Sequence, residues 1–343
     1  MGSVAVSPKA CSHISGWSNR ALVIFAFALL LVTGVSLLVG RYPSLSLLTP
    51  ERLAEDRLAQ LLILNLRLPR LITAALMGMS LAAAGEVMQM IFANPLVEPG
   101  FLGVSQGAAF GASLCIVFFG GAVWFVQVSA ALFAFMGLIL SYFLARQIRF
   151  GGWVLRLLLA GIAVSALFSS AVGILKYLAD PLSQLPEITF WLLGGLWGIT
   201  WSKLLAILPV VLVGLAVLVI MRWRLNLLSL ADQTAFSLGV APGRERALLL
   251  GSAVAITAAV VSVSGLVAWI GLIVPHLARR LFGADTRMAL PGSMLIGGLF
   301  AVLCDDLART LLAGEIPMGI LTSLFGAMGF ILIMSSRNPG LRR

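Results

Sequence analysis

Residues 204–221, LLAILPVVLVGLAVLVIM, run for 18 positions without a charged side chain. At about 1.5 Å per residue, a helix over this stretch is ~27 Å long, close to the roughly 30 Å hydrocarbon core of a bilayer. Apolar runs of spanning length recur near 21–40, 70–92, 103–120, 123–144, 155–176, 247–267, 268–283, 289–308 and 319–336. The 343 residues are 60% hydrophobic and 10% charged, with mean hydropathy +1.07. A soluble domain of this size cannot hide so much apolar surface, so lipid is the solvent for most of the chain. The expected fold is all-α, a polytopic membrane protein of about ten transmembrane helices.

The net charge of +10 would point to nucleic acid in a soluble protein. Here the arginines flank apolar runs, and the reading is topology, with lipid and no nucleic acid as partner. With ten spans and a cytoplasmic N-terminus, 15 of the 23 basic residues fall inside, the positive-inside bias. The chain then divides into a cytoplasmic tail (1–20), a membrane domain (21–336) and a cytoplasmic tail (337–343). Lys9 and Arg20 precede the first run, which lacks a small-residue cleavage site and reads as a span. Cys11, Cys115 and Cys304 have no metal or disulfide spacing.

Two segments resist a spanning reading. Residues 180–203, DPLSQLPEITFWLLGGLWGITWSK, suit a short amphipathic or re-entrant helix on the outer side, with Trp191, Trp197 and Trp201 near the interface. Residues 222–246, RWRLNLLSLADQTAFSLGVAPGRER, form the longest inner loop, with a short helix over Ala231–Leu238 broken by Gly239 and Pro242-Gly243. That pattern suits a docking element. Pro99-Gly100 and Pro291-Gly292 each precede a Gly-containing run, a faint sign of an internal repeat.

Catalytic chemistry finds little support. A P-loop needs Gly-x4-Gly-Lys-Ser/Thr, but the three lysines, Lys9, Lys176 and Lys203, precede Ala, Tyr and Leu. If transport here uses ATP, another polypeptide hydrolyses it; no cofactor is expected on this chain. Two histidines, His13 and His276, do not make a metal site or a nucleophilic triad. Asp305, Asp306 and Arg309 share one helical turn and are expected to neutralise one another near the outer end of a span. Glu86, with Gln89 one turn on, lies roughly 25 Å along its helix from Pro69, near the inner face. It either snorkels or bonds a neighbouring helix, or it lines an inner gate. Gly103, Gly107 and Gly111 form a G-x3-G stripe for close helix approach, within the chain or between subunits. Met77, Met79, Met88 and Met90 read as filler or as an adaptable apolar path.

The chain resembles the FecCD family of permeases on a dense, ordered set of motifs. They include Arg67-Leu68-Pro69-Arg70, Ala84-Gly85 with Gln89, Asn94-Pro95-Leu96 with Pro99, and Leu102-Gly103-Val104-Ser105. Further along come Phe190-Trp191-Leu192-Leu193-Gly194, Leu238-Gly239-Val240, Gly271 to His276 with Arg279, Asp305 with Arg309, and Glu315-Ile316-Pro317. The resemblance implies a permease of a bacterial ABC importer in the inner membrane, importing iron-siderophores, haem, cobalamin or oxyanions, with iron chelates first. It implies a dimer of like or sister subunits around a central path, a cytoplasmic pair of ABC ATPases carrying ATP and Mg, and a periplasmic or lipoprotein binding protein. It gives Arg67, Arg70 and Arg309 a binding-protein docking role. Ala235, Leu238, Gly239, Val240, Arg244 and Arg246 fall to ATPase coupling. Residues 185–200, with Trp191 and Gly194, become a gate, and Glu86, Met88 and Gln89 path candidates. The sequence departs from the family at Glu86, Thr286 and Met328. A secondary transporter would have to use Glu86 and Asp305 as ion carriers and leaves the long inner loop unexplained.

Overall fold

Twelve helices run through the described part of the computed structural model, which covers residues 8–41, 45–47, 56–312 and 314–335. The expected tail 337–343 and the side chains of Lys9, Cys11 and His13 lie outside the described residues. The apolar runs become α1 (Pro8–Leu38), α2 (Arg57–Ile91), α3 (Val104–Phe119), α4 (Val123–Gln147) and α5 (Trp153–Leu178). After the short α6 (Gln184–Leu193) come α7 (Trp201–Leu228), the short α8 (Asp232–Ser237), α9 (Pro242–Ser264), α10 (Ile270–Phe282), α11 (Thr286–Thr310) and α12 (Met318–Ser335).

Among the described residues, eight helices are long and apolar enough to cross a membrane. The other two apolar helices fall short: α3 has 16 residues and α10 has 13. At ~1.5 Å per residue, α10 covers about 20 Å, so the run 268–283 is not the full span expected from its composition. The chain is non-helical over 265–269 and the helix starts part-way through the bundle. Likewise 92–103 turns back through a 3₁₀ segment, Pro99–Leu102, before α3 begins. The two returning loops meet where Pro99 packs on Gly271.

α2 forms the centre, flanked by α11, α9, α10 and α7. Its inner two-thirds is almost wholly buried, whereas α1, α4, α5, α7 and α12 turn large apolar side chains outward, such as Leu30, Leu167, Ile220 and Leu332. This is the inside-out pattern of a protein whose outer solvent is lipid. Small residues bring the centre together. A Cβ at Gly78 would run into the Gly297 carbonyl, one at Gly297 into the Gly78 carbonyl, and one at Gly85 into Gly271. The Gly103/Gly107/Gly111 stripe is used within the chain. It lies on α4, against Gly137, Phe133 and Ser129, and Ser129 Oγ donates to Gly111 O at 2.7 Å.

The Pro-Gly echo does not survive: Pro99-Gly100 opens a 3₁₀ turn, while Pro291-Gly292 sits inside α11. Pro242, expected to break a helix, instead starts α9, where its missing N–H costs nothing. The inner loop is therefore shorter than 222–246, because Arg222 and Arg224 belong to α7. Two features were not expected. Val39–Arg41 pairs antiparallel with Leu45–Leu47 in a small β-ladder after α1. The first turns of α2 contain a π segment, Ile63–Arg67, just ahead of Pro69, whose ring and missing N–H disfavour regular α-helix before it. The ladder marks one end of the bundle, the hairpin end, and α8 marks the other.

Candidate functional sites at the two ends of the bundle

At the hairpin end, α2 starts beside the end of α11, which places Arg67 and Arg70 near Asp305, Asp306 and Arg309. Arg70 Nε lies 2.9 Å from Asp305 Oδ1, and its Nη1 reaches both oxygens of Glu315 at 2.8 and 2.9 Å. Arg309 approaches Asp305 Oδ2 at 3.1 Å and also pairs with Asp306, which accepts from Ser36 of α1. Arg67 is buried against Gly40 and donates to the Leu37 carbonyl at 2.9 Å. The neutralisation of Asp305 and Asp306 by Arg309 is as the sequence suggested. Arg70 and Glu315 join it through tertiary contacts that no local spacing shows.

This arrangement corrects the picture of three arginines free to meet a partner. Asp305 is fully buried and the Arg309 side chain is 9% exposed, so leaving either unpaired would strand a buried charge. Of the charges in this cluster, the Glu315 side chain is the most accessible, at 40%. Beside it, a 560 Å³ cleft is lined by Glu187, Phe190, Trp191 and Trp197. The turn that starts α6 is held by Asp180, which accepts from Ser183 Oγ at 2.5 Å and from Leu182 N at 3.1 Å. The Ser183 and Leu182 hydrogen bonds hold the Asp180 carboxyl below its usual range. Gly194 sits behind the cleft in a crossing of three backbones. It has φ +67°, a Cβ would meet the Leu266 carbonyl, and Gly195 N donates to Ser264 O at 2.7 Å.

At the other end, α8 is pinned on one side and bare on the other. Arg246 Nη1 bonds Asp232 Oδ1 at 2.7 Å, its Nη2 reaches Leu228 O at 3.0 Å, and its guanidinium lies 5.0 Å over the Trp153 ring. Ala235 and Val240 are buried beneath the helix, and the turn closes with Val240 N to Ala235 O at 3.1 Å, with Gly239 at φ +82°. Of the expected coupling residues, Ala235, Val240 and Arg246 are therefore anchors, while Leu238, Gly239 and Arg244 face outward. Phe236, 72% exposed, is the most prominent apolar group here. The sequence reading passed over it, although an exposed Phe in a six-residue helix is a signal.

Glu86, Met88 and Gln89 lie inside the protomer near this end. Glu86 and Met88 have no exposed surface and Gln89 is 4% exposed. Glu86 Oε2 takes a 2.9 Å ion pair from Arg279 of α10 and a 3.3 Å contact from Ser293 of α11. Gln89 accepts from Arg279 and donates to the carbonyls of Gly271 and Leu272 at 3.3 and 3.0 Å. These polar groups cross-link α2, α10 and α11 and face no open path in this protomer. Glu86 bonds a neighbouring helix, one of the two roles its position allowed. Thr286, a departure from the family pattern, is also buried; its Oγ1 donates toward Asn226 Oδ1 at 2.8 Å and the Arg222 carbonyl, tying α11 to α7.

Between the ends, the two returning loops enclose a 320 Å³ cavity that includes Glu98, Ser105, Gln106, Ser165 and Thr257. Non-helical backbone at such depth is tolerable only where protein or a cavity surrounds it. Glu98 was not singled out from the sequence, since it lies in a Pro-rich connection that reads as surface. Among the described residues no cluster of three or more His, Cys, Asp or Glu could hold a metal, and Cys115 and Cys304 are free.

The sequence matches the FecCD transport family over residues 14–336. It is 39% identical to the molybdate import system permease protein MolB of Haemophilus influenzae, over 93% of this chain and 97% of that one. It is 44% identical to the hemin transport system permease protein HmuU of Yersinia pestis, over 80% and 83% of the two chains. A solved metal-chelate type ABC transporter in an inward-facing conformation superposes with a TM-score of 0.85 at 39% identity, covering 92% of this chain and 99% of that one. With the motifs, the span pattern and the fold in agreement over nearly the whole length, this chain is a multi-pass membrane protein that belongs to the FecCD family of ABC importer permeases.

Proposed function

We propose that the chain forms the transmembrane path for an iron chelate in the bacterial inner membrane, with both termini cytoplasmic. Its energy comes from a separate pair of ABC ATPases, and a second permease subunit completes the path. The observation that carries the coupling half is α8, a short helix clamped by Arg246 and presenting Phe236, Leu238 and Arg244 outward. A pinned helix with an apolar tip transmits force from a partner, whereas a loosely tethered one absorbs it. Support for the cargo comes from relatives: besides the hemin permease, a Helicobacter pylori protein described as a probable iron chelatin permease is 39% identical over 92% of this chain.

Docking of a substrate-binding protein belongs at the hairpin end in this reading. Arg70 and Arg309 would meet it through their exposed edges, with Glu315 as the partner that can exchange, and Arg67 holding the α1–α2 junction from beneath. The cleft at Trp191 lies on the same face, next to Gly194 and the proposed gate. A second reading, a molybdate-like oxyanion as cargo, is favoured by the MolB match over almost the full length of both chains. Reconstitution with the cognate ATPase and binding protein separates these: ATP-dependent uptake of radiolabelled ferric chelate, unaffected by collapse of the proton gradient, is expected. Uptake of molybdate without uptake of the chelate would move the cargo to the second reading. Uptake by this chain alone would refute the importer assembly.

A further inference from the structure

At the α8 end, a 620 Å³ cavity opens between α4, α5 and α9. Its walls are mostly apolar: Leu138, Ile139 and Phe143 from α4, Leu157 from α5, and Leu250 from α9. Three arginines converge at one edge, Arg146 from the last turn of α4, Arg156 from the first turn of α5 and Arg246 from the first turn of α9. The one carboxylate in the lining is Asp232, so the cavity carries an excess of positive charge. Two helices, α5 and α9, begin beside it, and their N-termini add partial positive charge.

The guanidiniums are only partly used. Arg156 makes a single long bond, Nη1 to Ile148 O at 3.4 Å, and its Nε is buried without an acceptor. Arg246, whose side chain is 10% exposed, also has a buried Nε with no acceptor. Arg146 lies 5.2 Å over the ring of Tyr142 and is otherwise at the surface. Unpaired N–H groups of arginine in a partly dry site are donors suited to a phosphate, which can take two at once.

We propose that this cavity seats one anionic phospholipid, its phosphodiester held by Arg146, Arg156 and Arg246 and one acyl chain laid along α4 and α9. The combination of basic edge and apolar wall selects this occupant. A soluble anion would have no use for the apolar wall, and a zwitterionic lipid would bring a cationic headgroup against three arginines. Basic pockets between membrane helices near one surface are suited to such headgroups. Because Arg246 also grips Asp232, the lipid phosphate shares a guanidinium with the clamp that sets α8, so the state of the site bears on the helix proposed to meet the ATPase. The binding site itself does not depend on that reading of the cargo.

The test uses the purified full chain, stripped of lipid in detergent and titrated with phosphatidylglycerol or phosphatidylcholine of identical acyl chains, with bound lipid counted by native mass spectrometry. One phosphatidylglycerol per chain should be retained about tenfold better than phosphatidylcholine. Arg146→Gln with Arg156→Gln should abolish that preference, while Arg287→Gln, an arginine lying over Trp223 at the same end, should leave it intact. Gly251→Phe provides a second probe that keeps every arginine. A Cβ there meets nothing within 4 Å, so the ring narrows the cavity without a backbone clash and should lower retention. Equal retention of the two lipids overturns the proposal, as does a preference that survives in both the double arginine variant and Gly251→Phe. Complete displacement by millimolar inorganic phosphate also overturns it, since the apolar wall would then contribute nothing.

Discussion

Removing the carboxylate of Glu86 tests whether the buried polar cluster holds the helices together. Glu86 Oε2 is 2.9 Å from Arg279 Nη1 with no exposed surface on the Glu86 side chain, while Arg279 is 19% exposed. Breaking a buried pair by deleting one partner costs about 3–5 kcal/mol, because the remaining charge is left in a poor solvent. Arg279 keeps its contact with Gln89 and some access to water, so Glu86→Ala should fall near the lower end, about 3 kcal/mol. Removing both charges, as Glu86→Gln with Arg279→Gln, should cost less than the two single changes added together. The coupling energy should be roughly 2–3 kcal/mol, within the range for residues in one buried network. Reversible unfolding of the detergent-solubilised chain, followed by circular dichroism as a destabilising detergent is titrated in, measures each corner of the cycle. Additive single and double variants, with coupling below about 0.5 kcal/mol, would refute the cluster as a cross-link. Normal stability with lost uptake would return Glu86 to the translocation path.

Three further outcomes are expected. Gly78→Ala should unfold far more readily than wild type, because its Cβ strikes the Gly297 carbonyl, while Gly251→Ala should be neutral or gain up to about 1 kcal/mol; thermal unfolding in detergent compares them. Arg70→Gln should destabilise by roughly 3 kcal/mol because it strands buried Asp305, whereas Glu315→Gln should cost no more than about 1 kcal/mol, measured in the same unfolding assay. Asp232→Asn should loosen α8 without unfolding the bundle. Trypsin should then cut after Arg244 several-fold faster, and ATP-driven uptake should fall while ATPase association remains.

The membrane class and most helices could be read in the sequence because an uninterrupted apolar run of 18 residues has one stable solution in a bilayer. The broken inner loop was legible for a similar reason: Gly239 and Pro242 are local punctuation. Where local patterns were silent, the reading failed. The run 268–283 is apolar enough to span, yet α10 starts half-way, because Trp269 at φ +74° and the contact of Pro99 on Gly271 set its start. Composition does not encode such a contact between residues 172 positions apart.

The sequence by itself determined the solvent of this protein, the number of apolar runs and the absence of a phosphate-binding lysine, since hydrophobicity and spacing are properties of each segment alone. The tertiary structure decided what the charges do. Arg70 meets Asp305 and Glu315, Glu86 meets Arg279, and Arg246 meets Asp232 across separations that only packing closes. In an apolar surrounding a charge must find its partner wherever the fold brings one, so its role is fixed by geometry and not by its neighbours in the chain.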